Sequence, residues 1–512
     1  MNLNRRNFLF GSAAAAALAG CATATAKKGV RALKDGEKPT VAIIGYGLRA
    51  RDLTGEFLGL TDMCRVVAVC DCDKTRLAAG VQRVNEYYAK KNIANKCEAY
   101  ADFRDVIANP DIDMVCIATP DHWHAYMSVE AMKAGKDVYC EKPLTFNVDE
   151  SRKVMAAQKK YDRVFQTGSM QRCWPEFRTA VMIVRNGFIG DVKYVDANYG
   201  RGGQKLGGPS HPVRFFDEPE KAATEGAPNA DVDWNMWLGP AKWRPYSDRL
   251  APRGMHKSYS QVMFWRFDDD IGTGYNGDWG AHHLDIAQWG LDMDKSGPYK
   301  IIRSDEPHSA NLFHGCRRQF GMKMLFKKPY GDVELYHGPF GTWGTVFYGT
   351  KGIVAVNRGK IAVWTGTGVK PTAEIRKQLD DATFNGMTLV AASIGKDYGT
   401  DASSKKDNKL EEALKRLVAH FDLDSPKLNQ IYKSTDKSQV RNFVEHYYDR
   451  KPTQSTAETG GRSAILCQLC NMSYVYDTGF DWDPEKNDFA DGNKMGISLT
   501  RDSYRNGWEV VV

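Results

Sequence analysis

The chain is predicted to be an α/β protein with two domains, because three features of its 512 residues agree. Short apolar strands alternate with helices over residues 40–140, which indicates a parallel sheet with helices on both faces. From about Val181, strand candidates follow one another without helices, which favours an antiparallel sheet. The length exceeds the roughly 250–300 residues that one core serves. We expect an N-terminal Rossmann-type, doubly wound parallel sheet and a C-terminal α+β domain with an open, mostly antiparallel sheet.

The first 21 residues are typical of an export leader, which is not part of the fold. Arg5 and Arg6 precede an apolar run over residues 8–18, shorter than the about 20 residues that cross a bilayer. The leader ends in Leu-Ala-Gly-Cys at Cys21, typical of a lipoprotein cleavage site. We expect twin-arginine export, a location in the periplasm or on a membrane facing it, and a lipid on Cys21 as the only anchor. Because this route carries folded proteins, it predicts a cofactor that is loaded before export and tightly held.

Residues 22–38 are rich in Ala, Thr, Lys and Gly and are predicted to be a linker. The parallel-sheet domain is predicted over residues 39–175 and the α+β domain over residues 176–512. Strand candidates of the first domain are Thr40–Ile44, Arg65–Cys70, Met114–Ala118 and Asp137–Cys140, with a helix over Ala125–Ala134. Those of the second are Lys193–Gly200, Met322–Phe326, Val333–His337 and Thr345–Tyr348. A polar segment over residues 393–409 is predicted to be a surface insertion.

The formal net charge of +7 is spread along the chain. No basic run is long enough to follow a phosphate backbone, so we expect no nucleic-acid partner.

A glycine motif directly follows the first strand and opens a helix. Gly45 allows a tight turn, Gly47 lets a pyrophosphate approach the backbone, and the small Ala50 lets the helix pack closely on the sheet. Asp71 follows the second strand and is placed to accept a hydrogen bond from a ribose hydroxyl. Its carboxylate repels a 2′-phosphate, which favours NAD. Two nearby cations keep NADP open, namely Lys74 and Arg76.

Further motifs make the chain resemble the Gfo/Idh/MocA family of oxidoreductases. Thr119-Pro-Asp-His-Trp-His124 is similar to the family's TP-x-x-x-H stretch, and Glu141-Lys-Pro-Leu144 to its E-K-P signature. Gly277-Asp-Trp-Gly-Ala-His-His-Leu-Asp285 resembles its D-x-x-x-H helix, while Gly187-x-x-Gly190 and Trp482-Asp-Pro484 also fit. The resemblance covers nearly the whole chain after residue 38. The departure is Ala50, where many members have Gly.

The resemblance implies a catalytic trio. His282 is then the general base, Asp278 orients the sugar hydroxyl and tunes the histidine, and Lys142 holds that hydroxyl near the nicotinamide. The cofactor-binding residues that it implies are Gly45, Gly47, Leu48, Arg49, Ala50, Asp71, Thr119, Pro120, His122, His124, Glu141 and Lys142. The substrate-binding residues are proposed to be Arg172, Trp265, Arg266 and His282, with His124 beside them, since arginines and flat rings suit sugars.

Each of these residues also has a structural interpretation. Lys142 alone is typical of a solvated surface lysine, and Asp278 of a helix N-cap. His282, His283 and Asp285 together suggest a metal site, but neighbouring helical histidines point about 100° apart, so we expect no metal. Trp234 and Trp237 are as typical of core aromatics as of a pocket wall.

Two functions are therefore expected, with the first favoured. The first is hydride transfer between bound NAD and a secondary hydroxyl of a sugar, glycoside or cyclitol, in a protein that forms homo-oligomers through its second domain. The alternative is a glycoside hydrolase with a cycle of oxidation, elimination, addition and reduction. Hydrolases of this kind usually have an altered E-K-P stretch, and this chain keeps it. A carbohydrate-binding protein without catalysis would leave the trio unexplained.

Overall fold

The computed structural model describes residues 31–198, 229–259, 264–274, 276–303, 322–338, 340–381, 384, 386–394 and 408–512. The leader with Cys21, most of the predicted linker, Gly200 at the end of a predicted strand and most of the polar segment 393–409 lie outside these ranges. Within them, no helix is both long and apolar enough to cross a membrane.

The N-terminal sheet has six parallel strands in the order β3-β2-β1-β4-β5-β6, the order of a doubly wound Rossmann sheet. Its strands are β1 Thr40–Ile44, β2 Arg65–Cys70, β3 Glu98–Tyr100, β4 Met114–Ile117, β5 Asp137–Cys140 and β6 Phe165–Thr167. Its helices are α1 Leu48–Leu58, α2 Lys74–Lys90, α3 Phe103–Ala108, α4 Asp121–Lys133 and α5 Val148–Tyr161. The predicted fold class is confirmed. The strands β3 and β6, which have three residues each, were not predicted.

Helix α4 begins at Asp121, four residues before the predicted start at Ala125. Its first turn carries polar residues that break the apolar periodicity on which the prediction depended. These residues are buried all the same, because other elements bind them. Thr273 donates to the Asp121 carboxylate from its backbone at 3.1 Å and from its hydroxyl at 2.7 Å. Pro120 stands at the N-cap, where its missing N–H costs nothing.

The second sheet has ten strands in the order β14-β13-β12-β11-β7-β10-β9-β8-β15-β16. Among the strands that the structure describes, the β7–β10 pair alone is parallel, so the mostly antiparallel sheet is confirmed. Its strands are β7 Val192–Asn198, β8 Lys300–Ile302, β9 Met322–Lys328, β10 Gly331–Gly338, β11 Thr345–Gly349, β12 Gly352–Asn357, β13 Lys360–Thr365, β14 Thr388–Ser393, β15 Phe480–Asp483 and β16 Asp488–Phe489. The helices outside the first sheet are α6 Pro175–Arg185, α7 Trp234–Leu238, α8 Ala281–Gly290, α9 Ala373–Asp381, α10 Asn408–Phe421, α11 Gln439–Asp449 and α12 Ala457–Val475.

The two faces of the second sheet differ. One face shares a large apolar core with helices α6, α8, α10 and α12. On the other face, α9 covers part of the sheet, where Leu379 joins a cluster with Trp343 and Trp364. Farther along, this face carries ion pairs such as Lys323–Glu334 at 2.7 Å. The face that was expected to be open is thus partly covered, and homo-oligomer formation stays a prediction.

The chain returns to the Rossmann domain near its end, although residues 176–512 were predicted to form one separate domain. The Phe443 ring of α11 lies 6.0 Å from Tyr139 and 6.5 Å from Phe57. Trp508 packs edge-on against Trp123 at 5.0 Å. The end of the predicted linker is also docked, because Arg31 binds the Asp113 carboxylate at 2.9 Å.

Candidate active site

The register of the parallel strands brings the predicted motifs to one edge. Ile44 at the end of β1 is paired with Cys70 of β2 and Ile117 of β4, and Ile117 is paired with Cys140 of β5. Every segment that follows these strands therefore begins at the same level. Open α/β sheets bind ligands at this carboxyl edge.

The glycine loop has the shape of a phosphate cradle. Gly45 has a φ of +82°, and a Cβ there would lie 3.0 Å from the Ala118 oxygen and from the Thr119 Cγ2 atom. A Cβ on Gly47 would meet no atom within 4 Å, so the space above the start of α1 is open. Leu48 is the first residue of α1, and Ala50 is buried against the sheet. The free amides of this helix end suit a pyrophosphate.

Two buried polar atoms beside this loop have no hydrogen-bond partner in the described part of the chain. They are the Thr119 hydroxyl oxygen and the Arg49 Nη2 atom. Buried polar atoms are normally paired, so both indicate a place for a polar ligand. The Arg49 Nε atom binds Glu141 at 2.8 Å, and Glu141 also accepts from the Tyr139 hydroxyl at 3.1 Å. These residues fit a dinucleotide. Glu141 thus holds the Arg49 side chain beside the glycine loop.

Asp71 stands at the end of β2 beside the glycine loop. Its carboxylate accepts the backbone N–H of Tyr46 at 2.6 Å and that of Asp73 at 2.8 Å. Burial raises the pKa of Asp71, and the Arg76 charge and these two hydrogen bonds oppose that shift. The carboxylate is thus held rigidly at the position predicted for ribose recognition.

Lys142 and Asp278 form the central contact of the site. The Lys142 ammonium donates to the Asp278 carboxylate at 2.7 Å and to its backbone oxygen at 2.9 Å. Arg266 reaches the same carboxylate at 3.3 Å. Burial favours the neutral acid, but the charges of Lys142 and Arg266 outweigh it and hold the pKa of Asp278 well below its usual range. Asp278 is therefore an anion, as a group that orients a cation and a hydroxyl must be.

His282 lies one turn farther along and is only 7% exposed. Burial lowers the pKa of His282 well below its ordinary value, and the charges of Arg358 and Lys142 lower it further. No hydrogen bond within the described ranges satisfies its Nδ1 atom. A neutral imidazole with an unused nitrogen can accept a proton.

A π-helical turn, Asn276–Gly280, carries Asp278 immediately before α8. The predicted N-cap role of Asp278 does not apply, because the N-cap position of α8 is Gly280. A side-chain network holds the turn: Asn276 donates to Asn471 at 3.0 Å, and Asn471 donates to the Thr273 oxygen at 3.0 Å. Turns of this type are frequent at functional sites.

Arg358 is a residue that sequence analysis missed. It lies at the tip of the β12–β13 hairpin, 1% exposed, with its guanidinium 4.6 Å from the centroid of Trp279 and 5.7 Å from that of Trp174. The Trp279 ring in turn lies 5.8 Å from His282. No motif marks Arg358, since an arginine in a hairpin turn is ordinarily solvated.

Arg172, which was predicted to bind the sugar, is engaged inside the protein, and its sugar contact stays a prediction. It is 1% exposed and binds Asp285 through two hydrogen bonds of 2.8 Å. Asp294 takes two more at 2.8 and 2.9 Å, and the Trp289 ring lies 5.1 Å from the guanidinium. Four of its five N–H donors are used inside the protein, so Arg172 joins α8 to the segment before α6. Asp285 is occupied in the same way, which leaves it no place in a metal site.

The two predicted histidines of α4 are also engaged by backbone. His124 contacts the Pro143 oxygen through Nδ1 at 2.7 Å and the Thr119 oxygen through Nε2 at 2.9 Å. The Nε2 atom of His122 lies 3.1 Å from the Trp237 oxygen, and burial lowers the pKa of His122 to about 3. Both histidine side chains are only 1% exposed. Both histidines tie neighbouring segments together, so their predicted cofactor contacts stay predictions.

The remaining predicted aromatics, Trp265, Trp234 and Trp237, lie around one small core cluster. Trp265 is partly buried, and the Arg266 guanidinium lies 4.4 Å from its ring centroid, beside the carboxylate of Asp278. Trp234 stacks on Trp237 at 4.8 Å; Trp237 belongs to a small core cluster, and the partly buried Trp234 and Trp265 pack against it. The core interpretation of this pair is therefore the better one.

Comparison with known proteins agrees with this geometry. The model of an oxidoreductase family with an NAD-binding Rossmann fold matches residues 40–169, and the model of that family's C-terminal α/β domain matches residues 215–322. An uncharacterized oxidoreductase, YrbE of Bacillus subtilis, is 41% identical over 90 residues, which are 18% of this chain and 26% of that protein. Glycosyl hydrolase family 109 protein 2 of Shewanella sp. (strain ANA-3) is 30% identical over 212 residues, 38% of this chain and 46% of that protein. The chain thus spans less than half the length of these curated relatives.

Solved structures share the fold. Levoglucosan dehydrogenase in complex with NADH is 16% identical, with a TM-score of 0.53 over 87% of this chain and 99% of that one. The WlbA dehydrogenase from Bordetella pertussis is 13% identical, with a TM-score of 0.52 over 88% and 98%. Because the model that matches residues 40–169 is that of an NAD-binding Rossmann fold, the expected cofactor, NAD, is confirmed. The resemblance to the Gfo/Idh/MocA family of NAD-binding oxidoreductases is confirmed over the two matched ranges, residues 40–169 and 215–322.

Proposed function

We propose that the chain oxidises a secondary hydroxyl of a sugar, glycoside or cyclitol, or reduces the matching ketone, by hydride transfer with a tightly bound NAD. The observation that carries this proposal is the Lys142–Asp278 contact of 2.7 Å at the carboxyl edge of the Rossmann sheet, one turn from the neutral His282. An alcohol oxidation needs a base for the hydroxyl proton and a donor for the developing alkoxide. These residues supply both.

Each residue of the site has its own role in the proposed hydride transfer. Lys142, held by the anionic Asp278, donates to the substrate oxygen and stabilises negative charge as it develops. His282 takes the hydroxyl proton on a ring nitrogen, and burial, together with the charges of Arg358 and Lys142, lowers its pKa and keeps it neutral until then. Bound NAD supplies the hydride acceptor. The glycine loop, Arg49 and Thr119 hold the dinucleotide, and Trp265 with Arg266 form a wall for the sugar.

A glycoside hydrolase is the second candidate, and the similarity to glycosyl hydrolase family 109 proteins favours it. In that mechanism the sugar is oxidised, loses its aglycone, adds water and is reduced again, so no net reduction of NAD remains. The intact Glu141-Lys142-Pro143 stretch favours the oxidoreductase.

One experiment separates the candidates. The purified chain is mixed with a panel of sugars and glycosides while absorbance is followed in the reduced-nicotinamide band, and products are measured in parallel. A lasting rise in absorbance supports the oxidoreductase, and aglycone release without a lasting rise supports the hydrolase. A protein that binds no NAD would contradict both.

The location and assembly are proposals of the same kind. The leader favours twin-arginine export and a lipid on Cys21, which labelling with a radioactive fatty acid tests against Cys21→Ser. The domain with the ten-stranded sheet favours a homo-oligomer, which sedimentation of the purified chain tests.

A further inference from the structure

A segment of the second domain crosses the carboxyl edge of the Rossmann sheet. It comprises residues 229–259, and we name it the cover. Immediately after β2 it binds the Rossmann domain through backbone: Asp233 N–H donates to the Cys72 oxygen at 2.9 Å, and Lys74 N–H donates to the Asp231 oxygen at 2.9 Å. This side of the edge is the ribose side, since it lies beside the carboxylate predicted to bind the ribose.

The cover also contacts the helix whose start carries the glycine loop. The Arg51 guanidinium of α1 donates to the His256 oxygen, and the Tyr259 hydroxyl donates to Asp52 of α1 at 3.2 Å. Both contacts lie within the first two turns of the helix that is expected to face the pyrophosphate.

A third set of contacts reaches α4, which follows β4. The Trp123 indole N–H donates to the Trp237 oxygen at 3.2 Å, and the His122 Nε2 atom lies 3.1 Å from the same oxygen. The cover is therefore bound on three sides of the dinucleotide cleft, after β2, on α1 and on α4.

The cover has a small hydrophobic core of its own. The Trp234 ring stacks on Trp237 with centroids 4.8 Å apart and 14° between the planes, and it meets Tyr246 edge-on at 5.2 Å. Its indole N–H donates to the Arg244 oxygen at 2.7 Å. A segment with its own core moves as a unit, so it acts as a wall and not as a loose loop.

Two cations that the sequence left open for a 2′-phosphate are bound to the cover instead. The Lys74 ammonium donates to the Ala230 oxygen at 3.1 Å, and the Arg76 guanidinium donates to the Pro252 oxygen at 3.0 Å. The Lys74 and Arg76 side chains therefore add two more contacts between the cover and the Rossmann domain.

We propose that the cover is part of the cofactor site, and that it retains NAD from one turnover to the next by closing the adenosine end of the cleft. Release of the dinucleotide then requires the cover to open, which makes dissociation slow. This inference rests on the proposed function, because a retained NAD must be reoxidised or reduced by a second sugar.

The test measures NADH release without any sugar. The full chain is loaded with NADH, mixed with a large excess of NAD, and the loss of protein-bound NADH fluorescence is followed. Trp234→Ala removes the ring that stacks on Trp237 and meets Tyr246 edge-on, and it is expected to release NADH about tenfold faster or more, a change of about 1.4 kcal/mol. The matched control is Trp243→Ala in the same segment, because this ring is 65% exposed. It is expected to release NADH at the wild-type rate.

Arg51→Ala is a second variant, which loosens the cover without touching its core. It is expected to release NADH several-fold faster, and it decides the result if Trp234→Ala fails to fold. Release at the wild-type rate from both variants, with unchanged circular dichroism, would overturn the cover's role. A chain that binds no NADH at all would instead contradict the proposed function, so the two failures are distinguishable.

Discussion

Two clusters of cation and carboxylate lie close together in this protein, and they differ in how completely their charges are used. Arg172 is 1% exposed and gives four hydrogen bonds to Asp285 and Asp294. The Lys142 side chain is 14% exposed and its partner Asp278 22%, with both contacts of the ammonium on that one residue. A saturated cation supports structure, whereas a partly exposed one can exchange a contact for a substrate. The predictions below test that distinction, from the largest expected effect to the smallest.

The largest effect is expected from His282→Ala. Loss of a general base lowers kcat by about 10²–10⁴-fold, while NADH binding and the midpoint of thermal unfolding change little. Steady-state kinetics measure kcat, fluorescence titration measures NADH binding, and thermal denaturation measures the unfolding midpoint. His420→Ala, an exposed histidine on α10, is the control. Full activity in His282→Ala would contradict the assignment of the base.

Removal of the partly exposed cation by Lys142→Met is expected to lower kcat about 10²–10³-fold with only a small loss of stability. The physical reason is that the ammonium stabilises the developing alkoxide, while Asp278 keeps Arg266 as a partner. The control, Lys377→Met, alters a lysine that is 76% exposed and is expected to retain wild-type rates. A loss of stability with normal kcat would show that Lys142 stabilises the fold and does not act in catalysis.

The opposite pattern is expected for Arg172→Met. The change leaves Asp285 and Asp294 without their main cation and should lower the free energy of unfolding by about 3–5 kcal/mol, measured by urea denaturation. Activity per folded molecule should stay within about threefold of wild type, since the side chain is 1% exposed and bound to Asp285 and Asp294. Arg416→Met, on an exposed helix face, controls for loss of an arginine. Normal stability with lost activity would restore Arg172 to the sugar pocket.

The smallest effect concerns pH. The lowered pKa of His282 means that its neutral form persists as pH falls, so kcat/KM should stay flat to well below the ordinary histidine pKa. Arg358→Gln removes a charge that opposes protonation, which raises the pKa of His282 and moves the acid limb of kcat/KM to higher pH. An acid limb that does not move would show that burial alone keeps His282 neutral.

The cofactor half of the site was accessible to sequence analysis because its parts are local. Gly45, Gly47 and Ala50 lie within one turn after a strand, and one helix separates them from Asp71. The strands Thr40–Ile44, Arg65–Cys70 and Asp137–Cys140 have the predicted bounds, since a buried parallel strand is a continuous apolar run.

The sequence by itself determined the two-sheet fold, the glycine loop and the residue types of the catalytic trio, because each is written in a short pattern. Only the tertiary structure decided which charges are saturated. Arg172 and Asp285 are 113 positions apart, and the cover meets α1 across 205 positions between Arg51 and His256. No short-range pattern encodes such contacts. They depend on how the two domains pack, which engages Arg172 inside the protein and places the cover against α1.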